Sequence, residues 1–550
     1  MDDKLKNIDP TNLSSDKKIR EAISFLLNTI EDQSSLIEQQ KELIQELKDE
    51  INRLKGEQGR PNIKPNTSSK DYSSQSREKK KKSKNRKQGP KRDRMVIDRV
   101  EPLEIPISEL PADAKLKYYD EVVRQDAQLV RNNVLYRVAV YYSPSLRKTF
   151  RASLPKEHTG EFGANLQALL HTLYYGCDVT QGRIKALMDS IGISISTGSI
   201  DHILKSQEQW ALAEQEAILQ AGIDQSPYVQ TDSTGNREKG RQKSTHVVCA
   251  EFFSVFYTLE GRKRFDVLTA LQGNPKDGIG LSYNVHTRTL LQVFKVSQAD
   301  QNKLARLFKH GQPYSKEDFC RLIQQKASSI AAKKNIFARI IDSFALGHYF
   351  AQEYFPVVDL LLTDDATEYQ KIARSVQALC WVHDARPYNK LTPRLNHHRR
   401  LLEDFKDQYW TYYDKLLDFK ELPSAKQAIQ KSQLEAEFDK IFTQTTNFAQ
   451  LDKLISGTYA NKDKLLAVLD HPALPLHNNA AELAARRMVR KRDVSLHTMS
   501  PKGTKVRDAF LSIVETAAKL GVNALDYIAD RITGQTKMIS LSDSIKLAYK

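Results

Sequence analysis

The sequence has few cysteines and no long hydrophobic run. Its four cysteines lie far apart among 550 residues, which argues against a disulfide scaffold and favours a reducing compartment. The longest aliphatic runs, such as the three leucines at 360–362, fall far short of the roughly 18–20 apolar residues that a membrane span needs. The first ten residues, MDDKLKNIDP, are polar and acidic, unlike a secretory signal. We therefore expect a cytoplasmic protein.

Acidic residues are outnumbered, and the excess of positive charge is concentrated in one stretch. The net charge is +16, and residues 77–94 hold eleven Lys and Arg against two acids. Such a run predicts salt-sensitive, sequence-independent binding to a polyanion, of which DNA is the natural candidate. A merely solvated run is the alternative, and both hold if the segment stays unfolded until it binds. The lysines expected to contact DNA are Lys79, Lys80, Lys81 and Lys82.

Residues 19–54 carry the clearest periodicity of the chain, with apolar residues in alternating steps of four and three. Isoleucine at seam position a with leucine at d favours a parallel two-stranded coiled coil, and Gln33 and Gln40 in the seam help to fix its register. The pattern predicts a homodimer or a higher assembly, and the alternative is an amphipathic helix packed on its own chain. The seam residues are Ile23, Ile30, Ile37, Ile44 and Ile51 at a, and Leu26, Leu47 and Leu54 at d.

Changes in composition divide the chain into segments. Within them, VLYRVAVYY predicts a strand with Val134, Tyr136, Val138 and Val140 on one face. TQGRIKALMDSIGISISTGSIDHILKS resembles a helix-turn-helix with its turn at Gly192, whose second helix is a candidate for the DNA major groove; any helical hairpin would look alike. We expect a coiled-coil helix in 1–58, a basic disordered linker in 59–95, a small β-rich DNA-binding module in 96–160, a helix-turn-helix-like region in 161–220, an α/β domain in 221–525 and a tail in 526–550.

Acids follow three breaks in the apolar pattern. PYVQTDSTG predicts a short strand that ends at Asp232 and opens an antiparallel meander, and FPVVDLLLTDD predicts a buried strand that runs into Asp364 and Asp365 before a helix. Glu482 stands at a predicted helix start. Each acid alone is often only a turn or cap residue, but three in a basic protein fit a cluster that binds hard divalent cations through oxygen.

The segment LHNNAAELAARRMVRKR places five bases directly after Glu482. In the simplest interpretation, Asn478 or Asn479 caps the helix and Glu482 pairs with the arginine four residues on. In the functional interpretation, Glu482 binds a metal ion while arginines on the same helix face bind phosphate oxygens. The arginines expected on DNA are Arg486, Arg490 and Arg492.

Three ordered blocks together resemble the insertion-sequence-66 family of bacterial DDE transposases, over roughly residues 120–525. The blocks are QTDSTG, then LLTDDATEYQ with CWVHDARPY, then HNNAAELAAR, and the later GTKVRDAFLSIVETAAKLGVN also follows the pattern. On these blocks Asp232, Asp364 and Glu482 match the three acids of the family. Asp364 is preferred to Asp365 because Tyr369 follows it by five residues, as in the family.

The resemblance implies a fold, a reaction and partners. The fold is α/β and RNase H-like, a mixed five-stranded sheet with helices on both faces and the acids at one edge, interrupted by a helical insertion at about 385–475. The three acids would hold two Mg²⁺ or Mn²⁺ ions for hydrolysis at the ends of an insertion sequence and for strand transfer. The partners are the terminal inverted repeats and target DNA on the bacterial nucleoid, with small accessory proteins of the same element as further candidates.

The chain departs from the family pattern in several places. No cysteine precedes Cys177, so the cysteine zinc module usual before the catalytic domain is missing, and the 132 positions from Asp232 to Asp364 imply an extra segment near 266–345. Cys380 and His383 form a Cys-x-x-His pair that two later histidines could complete as a zinc site, but local packing, or contact of His383 with DNA, is the favoured interpretation. Unusual residues near the last acid are His477, Leu483 and Asp493.

Two further functions compete with the transposase. One is a catalytically inactive or domesticated dimeric DNA-binding protein derived from such an element. The other is a stand-alone nuclease, which would cleave DNA without joining it. The three intact acids favour the enzyme, and strand transfer on the ends that flank the gene would separate the three.

Overall fold

The structure, a computed structural model, describes residues 8–13, 16–54, 97–106, 109, 111, 114–127, 129–154 and 160–550. The basic run that contains Lys79, Lys80, Lys81 and Lys82 lies outside these residues, so its contact with DNA stays a prediction. Among the described helices, none combines the length and the apolar character that crossing a bilayer demands. All four cysteines are free thiols.

The heptad segment forms a helix, as predicted. A short helix α1 (Pro10–Leu13) precedes α2 (Lys17–Leu54), which is 38 residues long. Leu27 and Glu31 of α2 are buried against the rest of the chain, and neither lies at a seam position. The structure therefore shows the packing on its own chain that was the alternative, yet it leaves the heptad seam open. Seam residues with about half of their surface exposed are Ile37, Ile44, Leu47 and Ile51.

Residues 97–154 contain one antiparallel hairpin, β1 (Val140–Ser143) with β2 (Lys148–Arg151), and no other strand among the described positions. The strand begins later than predicted, at Val140. Val134 and Tyr136 precede β1 and are exposed. Apolar side chains of this stretch therefore form no core in the described part of one chain. A two-stranded hairpin has no third strand or helix to cover it, so the expected small β-rich module is reduced to this hairpin.

The helix-turn-helix pattern is confirmed as local structure. Gly192 lies in the turn with a φ of +76°, and the Ser196 hydroxyl caps the second helix by accepting from the Ser199 N–H at 3.0 Å. The region was expected as a separate unit, but its apolar residues belong to one core that reaches Ile545. The elements are α3 (Ala164–His171), a π-helical turn (Thr172–Gly176), α4 (Gln181–Ser190), α5 (Thr197–Ser206) and α6 (Glu208–Gln225).

A mixed five-stranded sheet lies at the centre of the α/β fold, in the order β5-β4-β3-β8-β9. The predicted antiparallel meander of β3, β4 and β5 is confirmed, and β3, β8 and β9 run parallel. The parallel strands β8 and β9 are short and apolar, as is typical of strands covered on both faces. The strands are β3 (Val229–Glu238), β4 (Arg241–Cys249), β5 (Ser254–Leu259), β8 (Leu360–Thr363) and β9 (Val376–Leu379).

The extra segment expected near 266–345 is a helical subdomain between β5 and β8. It has its own core, in which Phe308 stacks on Phe319 and both contact Phe344. Its elements are α7 (Arg264–Leu271), β6 (Leu281–Ser282), α8 (Val285–Val293), α9 (Gln298–Leu307), β7 (Pro313–Tyr314), α10 (Lys316–Lys326), α11 (Ser328–Ala331) and α12 (Lys334–Ala351).

The insertion expected at about 385–475 is helical and has a second, aromatic core. The buried Trp381 indole donates to the Leu465 carbonyl at 2.9 Å, and the Tyr409 hydroxyl donates to the Trp381 carbonyl at 2.9 Å. Its elements are α13 (Trp381–Lys390), α14 (Asn396–Lys420), α15 (Ser424–Phe442), α16 (Ala449–Ala460), α17 (Lys462–Leu465) and a 3₁₀ turn (Leu466–Leu469).

Four helices complete the chain and pack on the sheet and on the helices before it. The expected tail at 526–550 is wrong: Tyr527, Ile528, Leu541 and Ile545 are buried in the main core. The physical reason is the apolar spacing of three to four residues in this stretch, which gives each short helix one face to bury. The helices are α18 (Asn479–Ser495), α19 (Pro501–Lys519), α20 (Ala524–Thr533) and α21 (Leu541–Ala548).

Candidate active site

Two of the three acids lie on neighbouring parallel strands at matching depth. In the register of β3 and β8, Gln230 pairs with Leu362, so Asp232 and Asp364 each lie two residues beyond a paired position. The prediction that β3 ends at Asp232 is wrong: the strand continues to Glu238, because β4 pairs with it from Gln230 to Glu238. Asp232 therefore lies where the parallel pairing stops, and Asp364 directly follows β8.

The third acid comes from the first turn of α18, and Asn478 anchors this turn to the sheet. The Asn478 side chain donates to the Thr231 carbonyl at 2.9 Å, and its backbone N–H donates to the Cys380 sulfur at 3.2 Å. Asn478 thus stands at the N-cap position, but its side chain does not cap α18. Because Thr231 precedes Asp232, this anchor brings Glu482 to the strand that carries Asp232.

The small side chains of α18 let the helix approach the sheet closely. Ala481, Ala484, Ala485 and Met488 recur with helical spacing on one buried face and pack against Val247, Cys249 and Phe256 of the meander. A larger residue at these positions would push the helix away from the sheet and cost about 1–3 kcal/mol through overpacking. The alanine run therefore serves the placement of Glu482 as well as helix propensity.

The electrostatics of Asp232 link the three acids. The pKa of Asp232 is raised to about 6: burial is the main cause and the charges of Asp364 and Glu482 add to it, while the Ser233 N–H and the Arg386 guanidinium act in the opposite direction. The three carboxylates are therefore near enough to repel one another. Among the described residues, however, no three His, Cys, Asp or Glu side chains are already close enough to hold one metal ion.

Glu482 is paired with Arg386, a residue that the sequence reasoning missed. The Arg386 Nη2 donates to the Glu482 Oε1 at 2.9 Å, and the His383 Nε2 lies 3.4 Å from the same oxygen. The simple interpretation, a pair with the arginine four residues on, is therefore wrong, because α13 supplies the partner. The available signal was the spacing of His383 and Arg386, which places both on one face of a helix.

His383 faces the acids. Burial lowers its pKa, and the Arg386 charge lowers it further, while Glu482 and Asp364 raise it. Its contact with DNA stays a prediction. The other histidines that were weighed for zinc lie elsewhere: His397 is 3.4 Å from Asp9, and His398 is 3.2 Å from Glu31.

The loop after Asp364 is held against β3. The buried Tyr369 hydrogen-bonds with Ser233, and the pKa of its hydroxyl is raised by burial and by the Asp232 charge. The helix expected after Asp364 is only a 3₁₀ turn, Thr367–Tyr369. Asp365 points to the insertion instead, where Asn461 and Lys464 contact it at 3.2 and 3.4 Å. This contact supports the choice of Asp364 over its neighbour.

Of the five bases of α18, two point inward, one bonds to β3 and two are exposed. Arg487 and Lys491 point inward: Arg487 pairs with Asp178 and Glu515, and Lys491 donates to the Tyr174 carbonyl. Arg487 also donates to the Tyr175 and Gly176 carbonyls, so both side chains satisfy carbonyls of the π-helical turn. Arg492 donates to the Gly235 carbonyl and keeps a third of its side chain exposed.

Arg486 and Arg490 are exposed, as a DNA-binding role requires. Together with Lys519 they line a cavity of about 420 Å³ beside α18. Arg487 lines the same cavity, and the four cations are partly balanced there by Glu251 and Glu515. Their contact with DNA stays a prediction.

A family of known proteins matches the part of the chain that contains Asp364 and Glu482. Residues 348–506 match the family described as "Transposase IS66 family". This stretch is similar to the IS66 transposases. It contains Asp364, His383, Arg386 and Glu482, whereas Asp232 lies before it.

The similarity to one relative covers more of the chain than the IS66 stretch. A protein of Sinorhizobium fredii (strain NBRC 101917 / NGR234) named "Uncharacterized protein y4jO" is 29% identical over 329 residues, which are 57% of this chain and 94% of the relative. No solved structure matches the chain.

The residues that depart from the usual IS66 pattern lie beside the acids without replacing them. Leu483 is exposed next to Glu482 and lines the same cavity as Arg486. Asp493 lies 3.7 Å from Arg492. The Nδ1 of His477 accepts from the Asn479 N–H at 3.4 Å. None of these contacts involves the three acids.

Proposed function

We propose that the protein is a DNA transposase that hydrolyses phosphodiester bonds at the ends of an insertion sequence and transfers the freed strands to target DNA. The observations that carry the proposal are the matching positions of Asp232 and Asp364 beyond the paired residues of β3 and β8, and the hydrogen bond from Asn478, at the start of the helix with Glu482, to Thr231. The charges of Asp364 and Glu482 also raise the pKa of Asp232. The strand order of the sheet supports an RNase H-like catalytic domain. The IS66 match over 348–506 supports the same activity class.

The residues fit a divalent cation in chemistry. Carboxylate oxygens are the ligands that Mg²⁺ and Mn²⁺ prefer, and three clustered acids need positive charge to balance them. Glu482 would have to separate from Arg386 to bind such an ion. When bound, a pair of cations would activate the attacking hydroxyl and stabilise the leaving oxygen.

Residues of the chain supply the remaining requirements of the reaction. Asn478 and Tyr369 hold the acids in place, through Thr231 and Ser233 respectively. Arg486 and Arg490 bind phosphates of the DNA beside the scissile bond, which supports affinity without reading sequence. No covalent bond between protein and DNA is needed, so no serine or tyrosine nucleophile is required.

The proposal includes pairing of two chains through the open heptad seam of α2. Exposed isoleucines and leucines at a and d provide the apolar stripe that a second helix would bury. A dimer would present two active sites to the two ends of one element.

One observation favours the rival function, a non-catalytic DNA-binding protein. Glu482 already has a cationic partner in Arg386, so the acid cluster is partly neutralised without a metal. The rival predicts binding to the element's ends without a divalent requirement and without strand cleavage.

A strand-transfer assay on the DNA ends that flank the gene separates these functions. The wild type should cleave and join with Mg²⁺ and do neither with EDTA. Asp232→Asn and Glu482→Gln should bind the ends and release no 3′-hydroxyl, whereas the matched control Asp365→Asn should cleave, because Asp365 faces the insertion. Cleavage that survives in Asp232→Asn would overturn the proposal.

A further inference from the structure

The N-terminal helix reaches across the molecule to cap a helix of the insertion. The buried Glu31 carboxylate of α2 accepts from the backbone N–H groups of Arg394 and Leu395 at 2.5 and 3.3 Å. These residues form the entry to α14, whose own N-cap residue, Leu395, offers no side-chain cap. A carboxylate at a helix N-terminus satisfies orphan N–H groups and balances the helix dipole.

His398 strengthens this contact from the side of the insertion. Its Nδ1 lies 3.2 Å from the Glu31 Oε2, and its ring stacks on Phe448 at 4.2 Å between centroids. Hydrogen bonds from His398 and from the two backbone N–H groups lower the pKa of Glu31 against the effect of burial, which raises it. The buried carboxylate is therefore fully partnered as an anion.

A second side chain of α2 caps the start of a second helix of the insertion. The Asn28 Oδ1 accepts from the Ala449 N–H at 3.1 Å, and its Nδ2 donates to the Asn447 carbonyl at 3.0 Å. Ala449 is the first residue of α16, whose N-cap residue Phe448 has no side-chain cap of its own. Asp32 extends the contact by accepting from Gln450 at 2.8 Å.

Charges on the two sides are complementary. Asp9 and Glu38 face basic residues around the start of α14: Asp9 contacts Arg400 at 2.7 Å, and Glu38 lies 3.5 Å from Arg394. We call this contact the docking surface, formed by Asp9, Asn28, Glu31, Asp32 and Glu38 on one side and by Arg394, His397, His398, Arg400 and Gln450 on the other.

The docking surface and the heptad seam are different faces of one helix. None of Leu27, Asn28 and Glu31 occupies an a or d position. The seam residues Ile37, Ile44, Leu47 and Ile51 are exposed. A coiled-coil partner and the insertion can therefore hold α2 at the same time. A helix that only mediated dimerisation would need no capping side chains directed at residues hundreds of positions away.

We propose that α2 acts as a strut, which fixes the insertion of its own chain to the coiled coil that α2 forms with α2 of a second chain. Pairing of the two chains then sets the spacing of their active sites. The consequence for the spacing of the active sites rests on the proposed function. The contact between α2 and the insertion does not depend on it.

Hydrogen exchange read by mass spectrometry on the full chain tests the docking. In the variant Asn28→Ala with Glu31→Ala, peptides at 394–400 and 447–452 should exchange about fivefold faster or more, which corresponds to the roughly 1 kcal/mol of a lost cap. The matched control Glu42→Ala removes an exposed acid of the same helix and should leave exchange unchanged. Ile37→Asp with Ile44→Asp disrupts the seam, and the peptides should stay protected.

Unchanged exchange in the docking variant would overturn the inference, and so would loss of protection in the seam variant. Strand transfer then tests the consequence: the docking variant should remain paired, hydrolyse a single end and lose coordinated joining of two ends by about tenfold or more, because the two sites are no longer held at one spacing. Coordinated joining at the wild-type rate, despite lost protection against hydrogen exchange, would refute the role of α2 as a strut. Failure of the wild type to hydrolyse any end would refute the proposed function alone.

Discussion

The Arg386 guanidinium donates to the Glu482 carboxylate at 2.9 Å, although the two residues are 96 positions apart in the sequence. The acid expected to bind a cation is thus held by a cation of the chain itself. Half of the Arg386 side chain is exposed, so the pair is weak enough to open. The pair balances part of the negative charge of the three acids.

Removal of Arg386 should therefore favour the metal. We expect Arg386→Gln to bind Mn²⁺ roughly two- to fivefold more tightly, the range expected when a partly exposed ion pair no longer competes. Titration of Mn²⁺ by thermal shift measures this change. Lys464→Gln is the matched control, because Lys464 pairs with Asp365 and not with the cluster. Weaker binding in Arg386→Gln would show that Arg386 assists the site instead of competing for it.

Asn478 should be needed for the placement of Glu482. Asn478→Ala leaves the buried Thr231 carbonyl without its donor, which costs about 1–3 kcal/mol of stability, and Asn478→Asp places a negative charge against that carbonyl. Both variants should lose DNA cleavage far more than DNA binding. The neighbouring Asn479→Ala should be mild in both assays. Full cleavage by Asn478→Asp would contradict the anchoring role.

The secondary structure around the three acids could be predicted from the sequence, and the contacts between its elements could not. The meander and the buried strand before Asp364 follow from local apolar patterns. By contrast, Arg386 pairs with Glu482, and Glu31 caps α14, across long stretches of chain, and such pairs leave no periodic signal. The same limit hid Asn478, which looks like an ordinary cap residue in the sequence.

Two segments were predicted wrongly in opposite directions: one was expected to be a tail and is buried, and the other was expected to be a folded module and is a hairpin. Residues 526–550 were expected as a tail because they lie beyond the last recognised block, yet Tyr527 is buried and its hydroxyl bonds to Glu214. The β-type pattern of 96–160 predicted a module, but alternation alone gives strands no partner to cover them. Burial depends on what the rest of the fold presents, which local pattern does not encode.

Asp384 should make the insertion less stable as pH rises. Burial raises its pKa to about 6, against the hydrogen bonds from Thr458 and Tyr409 that lower it. The folded pKa lies above the unfolded value of about 3.9, so folding favours the protonated form and stability falls between about pH 4 and pH 6. Relative to Asp384→Asn, the wild type should lose about 1–1.5 kcal/mol of unfolding free energy between pH 5 and pH 7.5. Urea unfolding measures this difference, and equal pH slopes in both proteins would contradict it.

Arg486 and Arg490 should contribute to DNA affinity through charge alone. Each change to glutamine should weaken binding of all DNA sequences alike and reduce the slope of log affinity against log salt by about one. Arg487→Gln serves as the contrast: it should lower thermal stability with little change in the slope, because Arg487 is engaged with Asp178 and Glu515. A sequence-selective effect of either exposed arginine would show that it reads bases.

Crystals of the protein with its DNA ends and Mn²⁺ offer the most direct measurement, through the anomalous scattering of the metal. The proposed chemistry predicts Mn²⁺ peaks at about 2.1 Å from oxygens of Asp232, Asp364 and Glu482, with Arg386 moved away from Glu482. Mn²⁺ bound only elsewhere, with Arg386 still on Glu482 in the presence of DNA, would contradict it.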